Sequence, residues 1–153
     1  MTARFSSTTY NNNLYERDYH LWLLHTARLI SEGKLQEVDT ANLIEEIKDM
    51  GRSEQRAIES NLVVVLLHLL KYQYQPDKRT NSWRASIREH RRRLKRAFRL
   101  SPSLKRYFEE VFDECYQDSR EQAADETELS LNTFPQKSPF TPSEALNPDY
   151  LPN

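Results

Sequence analysis

Apolar residues along this chain gather into one dense run and several stripes at helical spacing. The dense run is residues 62–70, LVVVLLHLL, in which eight of nine side chains are large and apolar. A bilayer span needs about 20 such residues, so the run is too short to cross one. Neither Gly nor Pro interrupts it and helix-compatible residues flank it. The pattern predicts the centre of a long helix, apolar all round because other helices cover it. Val63, Val64 and Val65 are β-branched and would also suit a buried strand. No second strand-like run exists to pair with them, so the helix is preferred.

Upstream, Tyr15, Tyr19, Trp22, Leu23, Ala27 and Ile30 recur at three- and four-residue spacing, one face of a helix over 14–31. Gly33 stands where such a helix stops, and a short link over 34–38 returns the chain antiparallel. Asp39 or Thr40 can cap a second helix reaching residue 72, with Leu43, Ile47, Met50, Ile58 and the dense run inward. Gly51 predicts a kink or a break there, since an interior glycine costs about 1 kcal/mol relative to alanine. After Pro76, Ser82 caps a third helix over 82–100 with Trp83, Ile87, Leu94 and Phe98 on one face. Pro102 separates it from a fourth over 103–125, with Leu104, Phe108, Val111, Phe112 and Cys115 inward.

From residue 131 the composition changes. Five prolines forbid a long helix, yet Phe134, Phe140, Leu146, Tyr150 and Leu151 are too apolar for a purely solvated tail. The expected fold is all-α: a four-helix up-down bundle over 14–130 with a long central second helix. A mobile tail over 1–13 precedes it, and an extended proline-rich strap over 131–153 packs on it. The core should include Trp22, Leu43, Leu66, Leu69, Trp83, Leu94 and Phe108.

Composition narrows the chemistry. At 153 residues the chain can bury a core without staples. Its single cysteine, Cys115, excludes an internal disulfide and suits a reducing cytoplasm. Two glycines are too few for phosphate loops or dinucleotide fingerprints, and residues 1–13 carry no apolar core of a secretory signal. The net charge is −1, but residues 78–106 hold twelve Lys/Arg against one acid, Glu89. Residues 107–153 hold eleven acids against two bases.

Several segments carry a family resemblance when taken together in order. They are NLIEEI at 42–47, MGRS at 50–53, HLLKYQYQP at 68–76, SWR at 82–84 and the basic run over 87–93. With these the chain resembles the bacterial domain-of-unknown-function 29 family, over about residues 15–152. The resemblance implies a small four-helix all-α protein and no enzymatic activity, because no catalytic residues come with it. Position 90 holds His where that family more usually has Gln, which tells against a catalytic role for His90.

Candidate chemistry is sparse. Bundle di-iron sites need inward carboxylates with Glu-x-x-His pairs, and Glu45, Glu46 and Asp49 have no such partner. On an unbroken helix Glu46 and His68 lie about 33 Å apart, and His20 and His25, five residues apart, point to different faces. No metal and no cofactor are expected. His68 reads as a buried neutral imidazole. Glu45, Glu46, Asp49, Arg52, His68 and Arg84 read as a structural polar cluster, with Arg84 binding the carboxylates.

The basic helix is the main functional signal. Arg84, Arg88, Arg91, Arg92, Lys95 and Arg99 share one arc, so Arg88, Arg91, Arg92, Lys95, Arg96 and Arg99 are candidate contacts for nucleic acid or an acidic partner. Glu109, Glu110, Asp113, Glu114, Asp118 and Glu121 of the fourth helix could instead neutralise the arc within the chain. The expectation is a non-enzymatic binding, adaptor or regulatory protein. Its partner would be a protein, a second copy of itself or a nucleic acid, with no membrane association. The enzymatic alternative is a metal-independent ribonuclease with His90 as base and Arg84 on the scissile phosphate.

Overall fold

The computed structural model describes residues 14–153, and the expected tail over 1–13 lies outside the described residues. Among these, every regular element is helical. Four long helices are α1 (Tyr19–Ser31), α2 (Thr40–Tyr74), α3 (Asn81–Leu100) and α4 (Leu104–Thr127), followed by the short α5 (Pro142–Leu146). Tight 3-10 turns stand at Leu35–Glu37, Pro76–Lys78 and Leu131–Thr133. No helix among the described residues is long and apolar enough to cross a membrane. The chain divides between Arg52 and Ser53 into two compact units. Helix α2 passes through that point without interruption, so the expected weakness at Gly51 produces no break.

The first unit is a helical hairpin. Asp18 caps α1 by accepting the Leu21 N–H at 3.0 Å. Gly33 ends it with φ +73, and the Lys34 N–H bonds back to the Leu29 carbonyl at 2.9 Å. Asp39 caps α2 by accepting the Asn42 N–H at 3.3 Å. Trp22 is fully buried, with the Tyr15 and Tyr19 rings 4.8 Å and 6.0 Å from its own. Both tyrosine hydroxyls donate to the Glu46 carboxylate of α2. Leu43, expected in the core, is only half-buried, because Glu46 rather than Leu43 meets the tyrosines.

The second unit holds the main core. Leu62, Val65, Leu66, Leu69 and Leu70 of the dense run are all at 0 % exposure, packed with Ile87 and Leu94 of α3 and with Phe108, Phe112 and Cys115 of α4. Helices α2 and α4 run in the same sense. Tyr107 donates to Glu59, Ser119 Oγ donates to the Val63 carbonyl at 3.1 Å, and Lys71 pairs with Glu126 at 2.9 Å. Arg79 closes α2 by donating to the Tyr72 carbonyl at 2.7 Å while lying over the Tyr72 ring. The cap of α3 is Thr80 rather than Ser82, its hydroxyl accepting the Trp83 N–H at 3.2 Å. Trp83 is half-buried instead of central, because Lys71 Nζ stands 4.9 Å from its ring centroid and holds it at the rim.

Beyond α4 the chain is folded rather than simply extended. Phe134 and Phe140 are 0 % and 2 % exposed and join the core with Ala145 and Leu146. The backbone is tied down by α4: Tyr116 donates to the Pro135 carbonyl, Arg120 to the Phe134 carbonyl and Gln117 to the Gln136 carbonyl. Thr141 and Glu144 form a reciprocal capping box at the start of α5. Replacing Phe134 with Ala should therefore cost about 3–5 kcal/mol, read from urea denaturation midpoints. Leu35→Ala, at a side chain 62 % exposed, should stay within about 0.5 kcal/mol of wild type.

Candidate functional site

The site is built from the register of α3. Ile87, Arg91, Leu94 and Phe98 recur at helical spacing and form the inward face, with Ile87, Arg91 and Leu94 buried. The residue following each of them, Arg88, Arg92, Lys95 and Arg99, lies about 100° further round and is exposed. Arg96 is exposed beside them. Arg88, Arg92 and Lys95 line a shallow groove with Pro148, and Arg92, Lys95, Arg96, Arg99 and Leu100 line its continuation.

Arg91, expected among these contacts, borders the same groove but is only 3 % exposed, with its guanidinium spent on the C-terminal backbone. Its Nε donates to the Ala145 carbonyl, one terminal nitrogen to the Tyr150 carbonyl and the other to the Glu144 carbonyl, each at 2.9 Å. Burial pushes the guanidinium pKa below its ordinary value. The signal was present in the spacing, since Arg91 falls in step with Ile87, Leu94 and Phe98. The helical arc drawn through the cations had placed it with the other arginines, although it borders the apolar face.

Neutralisation by α4 is not found among the described residues. Arg92 and Arg93 both pair with Glu89 of their own helix, at 2.6 Å and 3.1 Å. Among the described residues Arg88, Lys95, Arg96 and Arg99 have no carboxylate partner. The acids Glu109, Asp113, Glu114, Asp118 and Glu121 of α4 are exposed on its outer side, and Glu110 pairs with Arg106 of the same helix at 3.0 Å. Both faces meet solvent with their charge intact. Among the described residues no free aromatic ring interrupts the basic row: Lys105 lies over Phe98 and Lys71 over Trp83.

The expected polar cluster resolves into local pairs. Glu45 binds Lys48 at 3.3 Å, and Arg52 bridges Asp49 and Glu45. Glu46 serves Tyr15 and Tyr19, and its hydrogen bond holds the Tyr15 hydroxyl up at about 12. Arg84 binds Asn81 of its own helix instead of these carboxylates. His68 and His90 each place Nδ1 at 2.8 Å from the carbonyl four residues back, Val64 and Ser86. A carbonyl only accepts, so Nδ1 carries the proton in both rings. Arg84 and His90 thus each engage their own helix, and no bond draws them together. The Cys115 thiol is 3 % exposed, and burial pushes it up to about 12, which keeps it an unreactive thiol near neutral pH. Trp22 Nε1 is buried with no acceptor among the described residues. Also among the described residues, no group of three or more His, Cys, Asp or Glu is placed to hold a metal ion.

Two outcomes follow from these environments. Arg91→Lys offers one ammonium where three spaced N–H groups are needed, so stability should fall by about 3 kcal/mol in chemical denaturation. Burial lowers the His68 pKa from its ordinary 6.5, against the carbonyl of Val64 and with Lys71, Glu126 and His90 nearby. The unfolded chain then takes up the proton first, and stability is lost as pH falls through 6.5 toward the folded value. Denaturation midpoints measured across that window should fall less steeply for His68→Leu than for wild type.

Neither the curated proteins nor the solved structures contain a match to this chain. A family model does match, over residues 14–151, which takes in every helix described above. The chain belongs to the family described as Domain of unknown function DUF29.

Proposed function

We propose that this protein is a non-enzymatic binding protein whose basic face on α3 engages the phosphates of a nucleic acid. The observation that carries this reading is the exposed row Arg88, Arg92, Lys95, Arg96 and Arg99, in which only Arg92 has a carboxylate partner among the described residues. The row extends about 16 Å along the helix, and a duplex presents one phosphate charge per roughly 1.7 Å of its axis. Cations so placed gain affinity by releasing condensed counterions. With no free ring to stack on bases, the contact is to the backbone and carries no sequence preference. An acidic protein is the competing occupant of the same face. The single buried Cys115 and the absence of a membrane-spanning helix among the described residues are in keeping with a place in the cytoplasm.

Binding of RNA and duplex DNA across a salt series tests the reading. Affinity should fall with a log–log slope of about −4, near −0.9 per phosphate neutralised on duplex. Arg92→Glu combined with Arg96→Glu should weaken binding severely and flatten the slope by about two. Absence of binding to either nucleic acid at low salt would leave the face to an acidic protein. Ribonuclease chemistry by Arg84 and His90 is the enzymatic extreme of this proposal, and labelled RNA incubated with wild type and His90→Ala tests it. Cleavage lost in the variant would establish it; the expected result is an intact RNA with both proteins.

A further inference from the structure

The hairpin of the first unit carries far more apolar surface than it covers. Among its described apolar side chains only Trp22, Leu29 and Val38 are buried, whereas nine large ones between positions 19 and 50 are at least 39 % exposed. Several of these lie on one side of it. Helix α2 presents Ile44, Ile47 and Met50 three residues apart, at 51 %, 55 % and 61 % exposure. Helix α1 presents Leu23 and Ile30 at 39 % and 44 %. The seam between the two helices runs through Trp22 and Glu46. Counting about 100° per residue, Leu23 and Ile30 come round from Trp22 in the same rotational sense as Ile47 and Ile44 from Glu46. In an antiparallel pair, equal senses of rotation emerge on the same side. A hairpin this short with so little buried cannot supply its own core.

We propose that this face packs against the same face of a second copy of the chain, so that two hairpins close one four-helix core across a twofold axis. The charge pattern beside the stripe favours a second copy over other occupants. The charges flanking the stripe on α2 are balanced, Lys48 and Arg52 against Glu45 and Asp49, and they already pair with one another. Two identical faces therefore meet without like-charge repulsion and without stripping a lone charge of water. A strongly acidic or basic partner would find no complementary field there, and a membrane-surface helix would need a cationic flank. The five large side chains placed on this face, 39–61 % exposed, are the apolar surface that such a contact would cover. Such a self-complementary contact closes as a dimer rather than growing into a chain.

Sedimentation of the full chain over a concentration series reads the proposal, which is independent of the basic face on α3. The expected result is a reversible dimer insensitive to moderate salt, weakened about a hundredfold or more in Ile44→Glu with Ile47→Glu. Circular dichroism of that variant should retain the wild-type helix content of the second unit. Ile47→Cys supplies a second, gentler reading, because the native Cys115 is buried. It should form a disulfide-linked dimer under mild oxidation, while Gln122→Cys on α4 should not. A wild-type chain that stays monomeric at its highest soluble concentration would overturn the proposal. So would a monomer that dimerises once residues 1–13 are removed, since that segment would then be the cover. A dimer that dissolves in salt and ignores the Ile44 and Ile47 substitutions would place the contact on charged faces instead.

Discussion

A charged side chain buried without a counter-charge is the constraint on which the second unit depends. The Arg91 guanidinium lies inside with no carboxylate of the described residues beside it, and isolated burial of such a charge is prohibitively unfavourable. Three carbonyls make it tolerable, and all three belong to the C-terminal segment. The segment must therefore fold back on α3 for α3 to point its inward face at the core. Once Arg91 points inward, the helical register leaves no choice for its neighbours. Arg88, Arg92, Lys95 and Arg99 each follow an inward position by one residue and must point outward. One contact closes the core and selects which cations remain available to a partner.

That selection gives the second unit a polar character its net charge conceals. The row on α3 and the acids of α4 stay separate, because each helix turns its charged arc away from the apolar seam they share. Pairing them across the surface would have contributed little, about 0–1 kcal/mol for each exposed ion pair. Keeping them apart preserves two fields of opposite sign on a chain whose total is −1. Such fields act over roughly 8 Å at physiological ionic strength. The near-zero total limits indiscriminate attraction at longer range.

The two units are held by different physics. The second rests on dense apolar packing, with an α2 segment whose buried leucines contact two helices and the returning C-terminus. In the first, the seam is a Glu46 carboxylate shared by two tyrosine hydroxyls above a buried Trp22. Helix α2 belongs to both. Its 35 residues of continuous hydrogen bonding absorb Gly51, whose cost of about 1 kcal/mol is small against a cooperative helix of that length. A glycine there breaks a helix only where the tertiary structure asks for a turn, and here it does not.

Much of this was legible in the residues themselves. Helical spacing and the punctuation by Gly33, Pro76 and Pro102 placed four helices, because local periodicity and backbone sterics act within a few residues. The dense run named Leu66 and Leu69 as core, since so apolar a segment has no stable exposed state. The basic stretch was visible as a count of charges. The register put Arg91 in step with Ile87 and Leu94, but what lets a guanidinium point inward there is three carbonyls more than 50 residues away. Composition also could not say whether the acids of α4 would neutralise the arc, as that depends on how each helix is rotated about its axis. Trp83 and Leu43 were misplaced for a related reason. Their apolar character was read correctly, but Lys71 over the Trp83 ring and the tyrosine–Glu46 seam decided their depth. Sequence determined the elements and their apolar faces through local forces; the rotation and partners of each helix were decided by contacts between residues far apart in the chain.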